Sequence, residues 1–290
     1  MSFASDVKAE LIKIEPVERC CIQAELSAML KFRSIVVDGK INFVCNSAAV
    51  LRRAISLFKK LYPTAPNEIS VTRLRRLTRV KRYSLKIGIT SQTLDLQRAV
   101  YSNEFPTSDC CRAAYLRGAF LAGGTINRPE SHYHWEVKTA DESAAMFLAR
   151  SMSRLDFPTR IFHRNGNYVV YLKEFDSIID FLVFTGADDA VDRYEVARNI
   201  KDVRGLANRL VNCETVNLQR TVDAAQRQLD DIKVIIRKRI RLKRSLRLTC
   251  QARLKHPEMA MSELAPLLKI STSGVKFRMR QIHEIAEQAR

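Results

Sequence analysis

CCRAAYLRGAFLAGGTI (residues 110–126) lies over CCIQAELSAMLKFRSIV (20–36) without a gap, 90 residues further along the chain. Ala114 matches Ala24, Leu116 matches Leu26, Gly118 matches Ala28 and Phe120 matches Leu30. Both stretches read as helices, and Ala24, Ala28, Ala114, Gly118 and Ala122 recur on them at helical spacing. A glycine inside a helix costs about 1 kcal/mol against alanine, so Gly118 calls for a compensating contact. Small residues let helix backbones approach closely. The pair therefore predicts two helices meeting across a pseudo-dyad, with the small residues as the seam.

The segments after the two copies are also alike. After the first come the strand-like SIVVDG and KINFVC with Asp38-Gly39 as a hairpin turn, and then the amphipathic SAAVLRRAISLFKKLY with Ser47 as its N-cap. The strands ISVTRLRRL and RVKRYSLKIGI and the helix SQTLDLQRAV complete the unit. After the second copy come TINRP, HYHWEVKTA, the helical DESAAMFLARSMSRL, a hairpin turning at Asn165-Gly166, and the helix EFDSIIDFLVF. Each copy is αββαββα. The expected class is α+β: a duplicated, pseudo-symmetric domain over 1–186, with repeats of about 1–100 and 101–186, followed by an all-α domain. A helical linker is expected over 187–205, with a break near Gly205, and a helical DNA-binding domain over 206–290.

LRGAFLAGG (116–124) resembles the helix motif of the LAGLIDADG homing endonucleases, and LSAMLKFRS (26–34) is its partner in the first half. The resemblance implies that Gly118 is the contact glycine and that Gly124 ends the helix in the left-handed conformation. It also implies that the last acidic residue of each motif would hold a divalent metal at the scissile phosphate. Here those positions are Arg33 and Gly123. Metal-assisted hydrolysis needs anionic oxygen ligands, and an arginine repels Mg²⁺. Lys31 and Leu121 offer no replacement. The expectation is a nuclease scaffold with its metal ligands lost, no metal and no cofactor.

The charge supports a polyanionic partner. Net charge is +18, distributed as +10 over residues 1–100, −1 over 101–186 and +9 over 187–290. Arg73, Arg75, Arg76 and Arg79 belong to a dense basic stretch interleaved with Leu74, Leu77, Val80 and Tyr83, and are expected to contact phosphates. The alternative for that stretch is a solvated face. No apolar run reaches the length of a membrane span, and the charged N-terminus lacks a signal-peptide core, so a cytoplasmic protein without membrane contact is expected. The seven cysteines include two adjacent pairs and no CxxC, and read as packing residues. His132, His134, Glu136 and Lys138 alternate with Tyr133, Trp135 and Val137 and read as the polar face of one strand.

In the C-terminal third, Leu218, Val222, Ala225, Leu229 and Ile232 form an apolar stripe expected to pack in a helical core. Residues 233–255 hold ten Lys or Arg and no acid, which suits a helix laid along phosphates; a membrane-surface helix is the rival. The last segment has the pattern of a helix-turn-helix over about 262–288. Ser262 is expected to cap its first helix, and Ser273 or Thr272 the second. Val275, Met279 and Ile282 should face inward, leaving Ser271, Thr272, Ser273, Gly274, Lys276, Phe277, Arg278 and Arg280 near the helix start or outward, towards DNA, with Ser262 also expected among the DNA contacts. Lys269 stands where a turn glycine is usual, and Pro266 lies in the first helix. A helical hairpin for protein contacts is the alternative.

The combination resembles the WhiA family of bacterial sporulation and cell-division regulators. YLRGAFLAGGTINRP, ANRLVNCETVNLQRTVDAAQRQ and STSGVKFRMRQIHEIAE carry the resemblance, which spans nearly the whole chain. It implies a nucleoid-associated transcription regulator acting on double-stranded DNA, with RNA polymerase or a sigma factor as candidate protein partners. Two rivals stay open: an endonuclease with relocated ligands, and an RNA-binding maturase-like protein.

Overall fold

The computed structural model describes residues 2–65, 67–73 and 81–290, and divides them between two compact units, up to Lys201 and from Asp202. The first unit opens with α1 (Phe3–Lys13). It continues through α2 (Arg19–Arg33), β1 (Ser34–Val37), β2 (Lys40–Cys45), α3 (Ala48–Leu61), β3 (Asn67–Arg73), β4 (Lys81–Gly88) and α4 (Leu94–Tyr101). The second half repeats the order from α2 onward: α5 (Asp109–Gly123), β5 (Gly124–Ile126), β6 (Trp135–Thr139), α6 (Glu142–Ser153), β7 (Arg160–Arg164), β8 (Asn167–Leu172) and α7 (Phe175–Thr185). Both four-stranded sheets are antiparallel and share one strand order, β1-β2-β4-β3 and β5-β6-β8-β7. The duplication read from the sequence is thus a duplication of topology.

Local chemistry explains the boundaries. Asp38 and Gly39 have φ of 49° and 69°, and Asn165 and Gly166 have 50° and 70°, the paired positive values of a tight hairpin turn. Ser47 Oγ accepts the Val50 N–H and Asp141 the Ser143 N–H, so α3 and α6 each start on a side-chain cap. Alternate residues of β2 and β4 (Ile41, Phe43, Leu85 and Ile87) are fully buried under the helices. In the second half Trp135 stacks on Phe120 at 5.9 Å and meets Phe181 at 4.5 Å. Aromatic pairs of this kind contribute about 0.5–1.5 kcal/mol each beyond burial.

α2 and α5 pack along the expected seam. A Cβ on Gly118 would meet the Glu25 carbonyl oxygen, and Ala28 Cβ would lie 3.1 Å away, so the glycine is required by backbone approach. Gly124 departs from expectation. Its φ is −77° and ψ 149°, extended rather than left-handed, because α5 passes directly into β5. Its lack of a side chain answers a crowding need instead: a Cβ there would fall 2.2 Å from Phe120 Cδ2. The left-handed helix end occurs at Gly186, φ 85°, after α7.

A charged cluster lies inside this apolar seam. Glu25 is fully buried; Arg53 Nε donates to its Oε1 at 2.7 Å, and Arg117 Nε to its Oε2 at 3.1 Å. Arg117 reaches across from the other repeat, so the ion cluster joins side chains of the two halves. Glu25 beside Ala24 and Arg117 beside Gly118 are its signals in the sequence.

α8 (Asp188–Arg237) runs 50 residues, through Gly205 without a break. Glycine lowers helix stability without removing a hydrogen bond, and a Cβ at Gly205 would meet only Arg209 Nη1 at 3.9 Å, so neither strain nor crowding interrupts the helix there. The second unit then forms α9 (Arg244–Lys255), α10 (Met261–Leu267) and α11 (Thr272–Ala289) around Ile232, Leu246, Cys250, Leu264, Ala265, Val275 and Ile282. The apolar stripe of α8 is only half covered: Ala225 and Ile232 are buried, whereas Leu218 and Val222 are 66% and 46% exposed. The buried part is the C-terminal part, where Ile232 joins the cluster formed with α9, α10 and α11.

Candidate nucleic-acid interface

The helix-turn-helix is built as α10, a turn at Leu268–Ser271, and α11. Two capping expectations are corrected. α10 starts at Met261 after Ala260, whose N–H donates to Glu263 Oε2 at 2.7 Å, so Ser262 lies inside the first turn and is exposed. α11 is capped by Ser271, whose Oγ accepts the Gly274 N–H at 3.1 Å, rather than by Thr272 or Ser273. The earlier helix start also puts Pro266 in the second turn of α10, one residue before its end, where few helical bonds remain to lose. Lys269 takes φ 53°, the conformation a turn glycine would adopt, and its N–H donates to the Pro266 carbonyl at 3.1 Å. A non-glycine residue there costs roughly 1–2 kcal/mol.

Val275, Met279 and Ile282 face the core, as expected. Ser271, Ser273, Lys276, Phe277 and Arg280 are exposed, and Thr272, Gly274 and Arg278 are half-buried. The Arg280 guanidinium stands 5.6 Å from the Phe277 ring centre. The first turn of α11 holds no acid, so its positive dipole end meets no competing carboxylate there.

The basic run 233–255 is not one helix. α8 stops at Arg237, and Arg239 (φ 55°) turns the chain, with the Ile240 N–H returning to the Ile235 carbonyl. That is a left-handed helix end followed by a hydrophobic residue, Ile240. Arg253 is also unavailable to phosphates. It is buried, and Nη1 donates to the carbonyls of Met259 at 2.5 Å and His256 at 3.3 Å, bracing the loop before α10. The other nine basic residues of the run are exposed.

In the first unit, the ends of α2 and α5 border a cleft of about 900 Å³ lined by Lys8, Lys31, Arg33, Arg82 and Asp141. Arg33 Nε donates to the Ala122 carbonyl at 3.3 Å, and Lys8 Nζ to the Leu121 carbonyl at 3.1 Å, so two cations cover the final carbonyls of α5. Burial, reinforced by Arg33, pushes the Lys8 ammonium pKa down to about 8. Lys31 Nζ donates to the Ser102 carbonyl at 2.6 Å and lies 4.4 Å from the Phe147 ring centre; its pKa is lowered by burial. Asp141 is the lining carboxylate among the described residues and caps α6. At Gly123 a Cβ would come within 2.3 Å of the Lys138 carbonyl oxygen, so no acidic side chain fits without moving β6. Lys8 lay outside the motif and could not be found from it.

Of the expected sheet arginines, Arg73 ends β3 opposite Lys81, whereas Arg75, Arg76 and Arg79 lie outside the described residues, as do Leu74, Leu77 and Val80. Part of the sheet's charge is already matched, since Lys40 and Lys86 both approach Glu68. The strand expected to carry His132, His134, Glu136 and Lys138 is shorter than the alternation suggests. β6 begins at Trp135, leaving His132 and His134 before it, where the Asn127 side chain and main chain hold the carbonyls of His132 and His134. Glu136 accepts from Lys138 at 2.7 Å and lies 3.0 Å from His134 Nε2; these partners outweigh burial and hold its carboxyl below the usual range. Among the described residues no helix is long and apolar enough to cross a membrane.

Three family models match successive parts of the chain: the WhiA N-terminal LAGLIDADG-like domain over 19–97, the WhiA LAGLIDADG-like domain over 112–204, and the WhiA C-terminal HTH domain over 207–286. A relative from Desulforamulus reducens, called a probable cell division protein WhiA, is 38% identical over 313 residues, covering 100% of this chain and 97% of its own length. A protein of the same description from Halalkalibacterium halodurans is 36% identical over 316 residues, covering 100% and 97%. The solved full-length WhiA from Thermatoga maritima has the same fold, with a TM-score of 0.65 at 24% identity over 100% of this chain and 99% of that one.

Proposed function

This chain belongs to the WhiA family, and from that premise we propose that it is a sequence-specific duplex-DNA-binding regulator of transcription that does not cut DNA. The observation that carries the reading is the first half of α11: Ser273, Lys276, Phe277 and Arg280 exposed on a helix whose first turn holds no acid. Side chains at such a helix start reach base edges, and the helix end itself favours phosphate. Arg33 and Lys8 at the carbonyl ends of α5 support the loss of cleavage, because they set cations where a divalent ion would need carboxylates. The programme served is cell division, chromosome organisation or sporulation, and the relatives' description as cell division proteins supports the first. On this reading the protein works on the nucleoid in the cytoplasm.

The test is the ratio of affinities for a selected operator and random DNA, measured at one salt concentration. Base-reading residues change which site is chosen; phosphate contacts weaken all sites alike. Lys276→Ala with Arg278→Ala should remove discrimination, since one good base contact is worth about 1–3 kcal/mol of selectivity. Replacing Arg73, Arg75, Arg76 and Arg79 should weaken both DNAs and keep the ratio. The reverse result would assign recognition to that basic stretch.

One observation favours a second reading, structured RNA. Tyr171 is flanked by His134 at 5.9 Å and Phe162 at 5.3 Å, and Phe162 is 37% exposed, a surface on which an unstacked base could lie. Competition between duplex DNA and structured RNA at fixed salt separates the two.

A further inference from the structure

Three of the seven cysteines meet at one place, and a fourth, Cys110, lies at its rim. Cys20 and Cys21 lie in the first turn of α2, Cys110 and Cys111 in the first turn of α5, and the pseudo-dyad brings these turns together. Cys21 Sγ and Cys111 Sγ, both buried, are 3.6 Å apart. The sulfurs of Cys20, Cys21 and Cys111 all lie within 4.8 Å of one another. Cys110, the equivalent of Cys20, is exposed and next to Cys111 in the chain, outside that group of three, with its Sγ 3.5 Å from Ser108 Oγ.

Packing accounts for Cys21 and Cys111, which behave as small apolar residues in the helix seam. It does not account for Cys20 and Cys110, which are exposed at the rim of the same cluster. A disulfide would hold two sulfurs at about 2.05 Å. A single tetrahedral ion with metal–sulfur bonds of about 2.3 Å holds them at an edge of about 3.8 Å. The Cys21–Cys111 separation of 3.6 Å is close to that edge. The electrostatics agree. Two helix N-termini direct their positive ends at the cluster, and the one acid in their first turns, Asp109, is paired with Arg112 at 2.9 Å. The exposed pair leaves an entry path from solvent.

We propose that Cys20, Cys21, Cys110 and Cys111 hold one thiolate-preferring divalent ion, Zn²⁺, which clamps the starts of the two seam helices together. Each ligating thiol gives its proton to solvent as its sulfur bonds the ion, and no oxidant is consumed. The ligands come as two adjacent pairs from different repeats, so no CxxC spacing announces them. The ion would act at the opposite end of the seam from the Arg33 cleft, as a staple between halves.

The test uses the full chain, reduced and freed of metal, titrated with Co²⁺ and then Zn²⁺. One Co²⁺ per chain should bind with thiolate-to-cobalt absorption in the near ultraviolet and tetrahedral bands in the visible, and Zn²⁺ should displace it. Cys20→Ser with Cys110→Ser changes only exposed positions; it should keep the circular dichroism of the parent and lose the cobalt bands. Cys213→Ser, distant in sequence and exposed, should retain them. Absence of the bands in the reduced parent, or their survival in the double variant, overturns the proposal. A Cys21–Cys111 disulfide found by mass spectrometry in protein that takes up no Co²⁺ overturns it too, and makes the cluster a redox pair.

Discussion

A Cβ built on Gly118 would stand 2.2 Å from the main-chain carbonyl oxygen of Glu25. The obstacle is backbone, which cannot swing aside as a side chain would. Gly118→Ala gains about 1 kcal/mol of helix propensity, but overpacking a close contact typically costs about 1–3 kcal/mol, and here the seam itself must open. Urea unfolding should show a lower midpoint for Gly118→Ala. An unchanged or raised midpoint would mean that α2 and α5 are not held this closely.

The carboxylate of Glu25 is expected to matter more than any surface ion pair. Removing it in Glu25→Ala leaves Arg117 buried without its anion and Arg53 with only the exposed Glu15. Breaking one side of a buried ion cluster costs about 3–5 kcal/mol, a large part of the roughly 5–15 kcal/mol that holds an ordinary domain folded. Thermal unfolding of the variant checks this. A shift no larger than that of an exposed salt-bridge variant would show that the cluster contributes little.

Lys8 supplies a pH dependence with a defined sign. Its ammonium pKa falls from the ordinary 10.5 to about 8 in the folded protein, from burial and then from Arg33. Between those values the unfolded chain binds the proton and the folded chain does not, so stability rises with pH over that window. Lys8→Met should lose that rise while the remaining lysines titrate in both proteins. Stability curves across that window for parent and variant provide the comparison, and identical slopes would show that Lys8 titrates normally.

No Mg²⁺- or Mn²⁺-dependent cleavage of DNA is expected, and restoring acids should not rescue it. Arg33→Asp is tolerable because its side chain borders the cleft, but Gly123→Asp drives a Cβ against the Lys138 carbonyl. The double variant should therefore lose stability without gaining nicking activity. Metal-dependent nicking by the pure parent protein, abolished by removing a nearby carboxylate, would refute the loss of chemistry.

The second unit has its own apolar core, so a fragment covering 202–290 should fold and bind DNA with steep salt dependence. The expected slope of log K against log salt is roughly −0.9 per phosphate neutralised. Replacing one phosphate-contacting lysine should reduce the slope by about 1. Binding that ignores salt, or is absent, would transfer the main contact to the first unit.

The sequence by itself determined whatever local signals could encode. Asp38-Gly39 and Asn165-Gly166 announced hairpins because few other residue pairs accept two positive φ values in succession. Ser47 announced a helix start, and the apolar spacing of Val275, Met279 and Ile282 announced the inner face of α11. The repeat announced the pseudo-dyad and thereby the seam. Only the tertiary structure decided what the seam carries: Arg117 reaching Glu25 across 92 residues, Lys138 standing over Gly123, and cysteines of both repeats drawn to one point. It also overruled local readings where a competing contact acted, as at Gly124 beneath Phe120 and at Arg253 inside the loop before α10. Caps and turns are settled by energies exchanged within a few residues, which a linear pattern records. Contacts between repeats depend on how closely two backbones approach, and that distance is a property of the packed helices rather than of either segment.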